Sequence, residues 1–211
     1  MKEEEILQKV DYTVLKQIAT WEDIKNFCDK AIELQTASIC IPPYYVESAR
    51  KYVGDKMKVC TVIGFPNGYT TTQVKVYETE DAIRNGADEI DMVININALK
   101  EKNYEYVLNE INAIKKVCEG RILKVIVETC LLTEEEKIKM CEIISESNAD
   151  YIKTSTGFST KGAEVVDIEL FKKHLSANKK IKASGGIRTF EDAKKMIEAG
   201  AQRIGTSGLK D

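Results

Sequence analysis

The chain has 211 residues, 43% hydrophobic and 31% charged, with 31 basic and 34 acidic side chains and a formal net charge of -3. That balance excludes disordered and fibrous classes, and a chain of this length can bury a core without a disulfide or metal staple. The charges are interspersed, with no run of Lys and Arg, so no nucleic-acid footprint is present.

In chain order, the N-terminus Met1-Lys2-Glu3-Glu4-Glu5 is acidic, and no segment approaches the roughly 18 consecutive apolar residues of a membrane span. A cytoplasmic protein without membrane partners is expected. Eight short β-rich runs follow, near 10–14, 37–41, 58–63, 89–94, 122–127, 150–154, 180–184 and 202–205. Between them lie segments of helical period. Ile24, Phe27, Cys28 and Ala31 form one apolar stripe, and Tyr104, Val107, Leu108, Ile111 and Ile114 form another. Thr133 followed by Glu136 fits a capping box, with looser versions at Thr20/Asp23 and Thr189/Asp192.

Helix-ending residues recur at Gly86, Asn148 and Gly200, each able to take a left-handed cap conformation just before a strand. Their spacings, 62 residues from 86 to 148 and 52 from 148 to 200, each hold two βα units. The fold predicted is an α/β protein of the (β/α)8 TIM-barrel type, one domain over residues 1–211. A doubly wound open sheet is the rival, but no G-x-G-x-x-G follows an early strand.

Parallel strands covered on both faces make an internal charge costly unless it is paired or functional. Asp91, Lys124, Lys153 and Lys182 all lie inside predicted strands. Lys153 and Lys182 stand near the carboxyl ends of successive strands, where barrel enzymes place their chemistry. An amine is nucleophilic only when neutral, and both desolvation and a second cation beside it disfavour the ammonium. The two lysines are therefore read as an activated nucleophile and its perturber, with Asp91 moving protons. A buried ion network that serves packing is the competing interpretation, and it suits Lys124 best.

Two polar, Gly-rich segments, Ser184-Gly185-Gly186-Ile187-Arg188 and Gly205-Thr206-Ser207-Gly208, follow the last two strands, the usual phosphate position of this fold. A third polar loop, Thr154-Ser155-Thr156-Gly157, follows Lys153. Asp11 and Thr13 are candidates to orient substrate hydroxyls. Cys40 is a candidate to face the pocket, against burial as an apolar thiol. The six cysteines contain no C-x-x-C pair, and the single histidine, His174, excludes zinc sites built on several imidazoles, so no metal is expected.

These residues carry a resemblance that runs almost end to end. Asp11-x-Thr13-x-Leu15-Lys16, Val62-Ile63-Gly64-Phe65-Pro66, the run from Gly86 to Asn95, Lys124-Val125-Ile126-Val127-Glu128-Thr129, Lys153-Thr154-Ser155-Thr156-Gly157-Phe158 and Lys182-Ala183-Ser184-Gly185-Gly186-Ile187-Arg188 closely resemble the deoxyribose-phosphate aldolases. The resemblance implies a class I aldolase, a carbon-carbon lyase of deoxyribonucleoside catabolism that reversibly cleaves 2-deoxy-D-ribose 5-phosphate to acetaldehyde and D-glyceraldehyde 3-phosphate. It further implies that Lys153 forms the Schiff base and that Lys182 and Asp91 tune it and relay protons. Gly157, Gly185, Gly186, Ser207 and Gly208 would hold the phosphate. The substrate would be a small phosphorylated sugar, with no cofactor. Self-association as a homodimer or higher homo-oligomer is expected of such barrels. A phosphosugar isomerase or epimerase, and a non-catalytic metabolite sensor, are the alternatives; neither requires a covalent adduct.

Overall fold

In the computed structural model, which describes residues 1–210, eight parallel strands close into a barrel in sequence order. They are β1 (Val10–Thr13), β2 (Ser38–Ile41), β3 (Val59–Ile63), β4 (Glu89–Val93), β5 (Ile122–Ile126), β6 (Tyr151–Lys153), β7 (Lys180–Ser184) and β8 (Arg203–Thr206). Each end falls within one residue of the sequence expectation. The ring closes where β1 pairs with β8, Val10 opposite Ile204. The helices are α1 (Glu3–Leu7), α2 (Trp21–Glu33), α3 (Val46–Val53), α4 (Thr72–Arg84), α5 (Ile96–Lys100), α6 (Tyr104–Val117), α7 (Glu134–Glu146), α8 (Val165–His174) and α9 (Phe190–Ala199). No helix among the described residues is long and apolar enough to cross a membrane.

Local chemistry sets the helix ends. Thr20, Thr133 and Thr189 each accept from the backbone three residues on, while Asp23, Glu136 and Asp192 reach back to the cap, so all three expected capping boxes form. Gly86 and Gly200 take positive φ of 103° and 135° at the ends of α4 and α9. Asn148 does not, contrary to the sequence expectation. There α7 ends at Ser147 in extended backbone, whose hydroxyl donates to Ile144 and accepts from the Ala149 N–H, so no left-handed residue is needed.

Side-chain alternation along the strands divides the interior in two. Ile39, Ile41, Val59, Ile63, Ile90, Leu123, Ile152, Ile181 and Ile204 face outward into the main apolar core, where the stripes of α2 and α6 meet them. The opposite parity faces the lumen. Barrels of this type usually fill that space with branched aliphatics; here only Cys40, Cys60 and Val62 form a small apolar cluster, and charged groups occupy much of the rest. Asp11 on β1 lies 3.5 Å from Lys124 on β5, the strand diametrically opposite, a contact possible only across the lumen.

Candidate active site

β4 brings Asp91 to the centre of this network, and β6 and β7 bring the two lysines to it from one side. Lys153 and Lys182 are register partners on neighbouring strands. Both amines donate to the same oxygen, Asp91 Oδ2, at 2.7 Å each, so their nitrogens lie no farther apart than twice that distance. The other oxygen, Oδ1, accepts from Lys124 Nζ at 2.8 Å and from the Cys60 thiol at 3.3 Å. Lys124 also pairs with Glu89 at 2.6 Å, and Lys182 with Asp11. Arg203 closes the network against Asp11 at 2.5 Å and Glu89 at 3.0 Å.

The electrostatics follow from this crowding. Burial alone would raise Asp91, but Lys124, Lys153 and Lys182 outweigh it and hold its carboxyl well below the usual range. Asp11 is likewise held down by Lys124, Lys182 and Arg203 against the cost of burial. Burial would strip the proton from Lys182, yet Asp11 and Asp91 reverse that and hold it as an ammonium. Lys124 is raised for the same reason. Four cations, Lys124, Lys153, Lys182 and Arg203, therefore face three carboxylates, Asp11, Glu89 and Asp91. Loss of one proton balances the cluster. Lys182 is shared between two carboxylates and Lys124 among three, whereas Lys153 has Asp91 alone among the described residues.

Lys153 is also the one of these amines that reaches the cavity above them, about 630 Å³ at the carboxyl ends of the strands. The cavity wall includes Thr13, Gly157, Gly185, Gly186 and Ser207, five of the positions singled out for substrate or phosphate. The β6 and β7 loops lock together below it. Thr154 Oγ1 donates to the Ser184 carbonyl and accepts from its N–H, and Ser184 Oγ donates to the Ser155 carbonyl. Gly185 sits at φ +84° against Gly162, where a Cβ built on Gly162 would lie 2.1 Å from the Gly185 carbonyl oxygen. Gly162 is thus a packing position that the sequence did not disclose. Gly186, at φ +78°, has open space in front of it.

Three of the expected positions lie outside the cavity wall. Asp11 does not line the cavity: it is fully buried and its oxygens accept from the Ser38 hydroxyl, Lys182 and Arg203. Cys40 is fully buried with Cys60 and Val62, beside the charges of Asp91, Lys153 and Lys182. Gly208 is also absent from the wall; its N–H donates to Thr206 Oγ1 at 3.2 Å. Glu89 and Arg203 were missed, although Glu89 stands two residues before Asp91 and therefore on the same strand face. Cys40, Cys60 and Asp91 place donor atoms within 4.8 Å of one another, as do Asp11, Cys60 and Glu89, but the adjoining ammonium groups oppose a cation there.

A family model described as DeoC/LacD family aldolase matches residues 6–210. The chain is 56% identical to a deoxyribose-phosphate aldolase of Clostridioides difficile, over 97% of this chain and 93% of that one. Among solved structures, QR15, an aldolase, superposes with a TM-score of 0.93 at 44% identity, covering 96% of this chain and 91% of the other. A deoxyribose phosphate aldolase from Aeropyrum pernix, described as having a unique tetrameric structure, gives a TM-score of 0.90 at 32% identity, covering 97% and 87%.

Proposed function

Because the chain belongs to the DeoC/LacD family of aldolases, we propose that it is a class I aldolase cleaving 2-deoxy-D-ribose 5-phosphate, with Lys153 as the Schiff-base residue. The observation that carries the assignment is the pair of amines sharing one oxygen of Asp91 beneath a cavity that Lys153 alone of the two lines.

The neutral Lys153 amine adds to the C1 aldehyde, and the carbinolamine takes up a proton on its hydroxyl and loses water to give a protonated imine. A base takes the proton of the C3 hydroxyl. The C2–C3 electron pair then passes into the imine, releasing glyceraldehyde 3-phosphate and leaving an enamine. Protonation at C2 and addition of water return acetaldehyde and the free amine. Asp91, hydrogen-bonded to the reacting nitrogen, is placed to move these protons, with water as its carrier to more distant atoms. Lys182 remains an ammonium throughout, a fixed positive charge beside the reacting nitrogen. Gly157, Gly185, Gly186 and Ser207, on loops after β6, β7 and β8, receive the phosphate through backbone N–H groups, with Ser207 able to add its hydroxyl.

The test is release of acetaldehyde from 2-deoxyribose 5-phosphate, followed by coupled reduction of the aldehyde. Turnover that persists in a chelator and vanishes in Lys153→Ala supports the assignment; wild-type protein that releases no acetaldehyde refutes it. Self-association belongs to the same proposal, supported by the tetrameric relative, and is read by sedimentation. A cytoplasmic setting suits six cysteines that are all unpaired.

A further inference from the structure

One residue beside the cavity carries two costs that the reaction as described does not use. Glu128 follows β5 and takes left-handed backbone, φ +55° and ψ +67°. The other non-glycine residues of positive φ, Gln35, Lys102 and Glu119, are exposed turn positions, whereas Glu128 is only 3% exposed. A left-handed glutamate is strained, and strain of this kind is retained where the surroundings impose it, often at functional sites. Its carboxylate is also buried without an ion-pair partner among the described residues. Such a group is expensive unless hydrogen bonds hold it.

The hydrogen bonds that hold it all come from one residue. Glu128 accepts from the Thr156 hydroxyl, and its Oε1 accepts from the Thr156 N–H at 3.2 Å. Thr156 Oγ1 in turn accepts from the Phe158 N–H at 3.1 Å. A second tie runs alongside, from the Thr129 N–H to the Thr154 carbonyl at 2.9 Å. Thr156, Gly157 and Phe158 all line the cavity. Burial holds the Glu128 carboxyl above the usual range, against the Thr156 bonds and the Lys153 charge, so its environment is one in which that carboxylate is retained at a cost.

We propose that Glu128 is a positioning residue for the phosphate end of the substrate: by clamping Thr156 from the neighbouring strand end, it fixes the backbone of Thr156–Phe158 in its phosphate-receiving shape. The inference rests on the aldolase assignment and adds a specificity determinant to it. Glu128 touches no reacting atom, and its effect is confined to substrates that carry the phosphate. Glu128→Gln keeps the shape but can accept from only one Thr156 donor at full strength, and Glu128→Asp shortens the reach.

The experiment compares 2-deoxyribose 5-phosphate with unphosphorylated 2-deoxyribose in wild type, Glu128→Gln and Glu128→Asp, with acetaldehyde trapping by borohydride on each protein. Loss of a charge-assisted hydrogen bond predicts a fall of about tenfold in kcat/KM for the phosphorylated sugar, carried by KM, and little change for the unphosphorylated one. An equal fall for both sugars, or a change in neither, overturns the proposal even where the ethyl adduct on Lys153 forms normally in every variant. Failure of wild type to form that adduct instead removes the aldolase assignment, and the proposal with it.

Discussion

Two regions of this molecule bury opposite charges completely, and they behave in opposite ways. Outside the barrel, Lys75 on α4 and Glu110 on α6 form an ion pair at 2.9 Å, both side chains fully buried, with Glu78 as a further carboxylate acting on Lys75. Burial dominates there: Lys75 is held below its ordinary value and Glu110 above, so each would be more stable neutral than in water. In the lumen the same burial is overcome, with Asp91 and Asp11 pushed down and Lys124 and Lys182 pushed up. The difference is the number of charges that share each group. One ion pair with a weaker second carboxylate does not offset desolvation, whereas the dense lumen network does. The lumen holds one more cation than carboxylate, and Lys153 is the amine with the fewest carboxylate partners and with access to the cavity.

Breaking the lumen network at its hub has the largest expected effect. Asp91→Asn removes the negative charge shared by both reactive-side lysines and the proton carrier of the reaction, so kcat falls by about 10²–10⁴. Breaking the buried helix pair produces a different signature: Lys75→Met leaves Glu110 buried alone and costs about 3–5 kcal/mol in urea unfolding. The double variant Lys75→Met/Glu110→Leu recovers most of that loss, short of the part owed to Val93 and Asn95, whose backbone groups the pair satisfies. Neither variant changes which lysine forms the adduct. If the double variant is no more stable than the single, the pair is not the desolvation-dominated site described.

Lys182→Leu sharpens the comparison by removing a fixed cation close to Lys153 while leaving the carboxylates. Coulomb's law at an effective dielectric near 20 then moves the midpoint of imine trapping about two pH units upward. An unchanged profile eliminates Lys182 as the perturber. The smallest effect is linkage. Asp11 and Asp91 are depressed in the fold, so their stabilisation is complete above their unfolded value near 3.9 and is lost as pH falls through the folded values. Lys124 and Lys182 are raised, so theirs is complete below about 10.4 and is lost as pH rises through the folded values. Unfolding free energies should lie on a plateau between these limits for the network's contribution, and Asp11→Asn should flatten the acid side by roughly 1–2 kcal/mol.

Strand boundaries, capping boxes and apolar stripes were legible because each depends on neighbours a few residues apart. Lys153, Lys182 and Asp91 were legible because charge in a doubly covered strand is rare enough to need a cause. For Asp11 and Cys40 the sequence left two placements open. A residue near the end of a short strand can face the mouth or the lumen floor, and only closure of the ring, with Asp11 reaching Lys124 across it, decides which. Lys75 and Glu110 read as polar breaks in amphipathic helices; their pairing depends on the packing of α4 against α6, which no local pattern records.

The central claim concerns which amine is free to react. Borohydride reduction in the presence of acetaldehyde, followed by peptide mass mapping, should place one ethyl group on Lys153, with no adduct in Lys153→Ala. An adduct on Lys182, or none on wild-type protein, would contradict it.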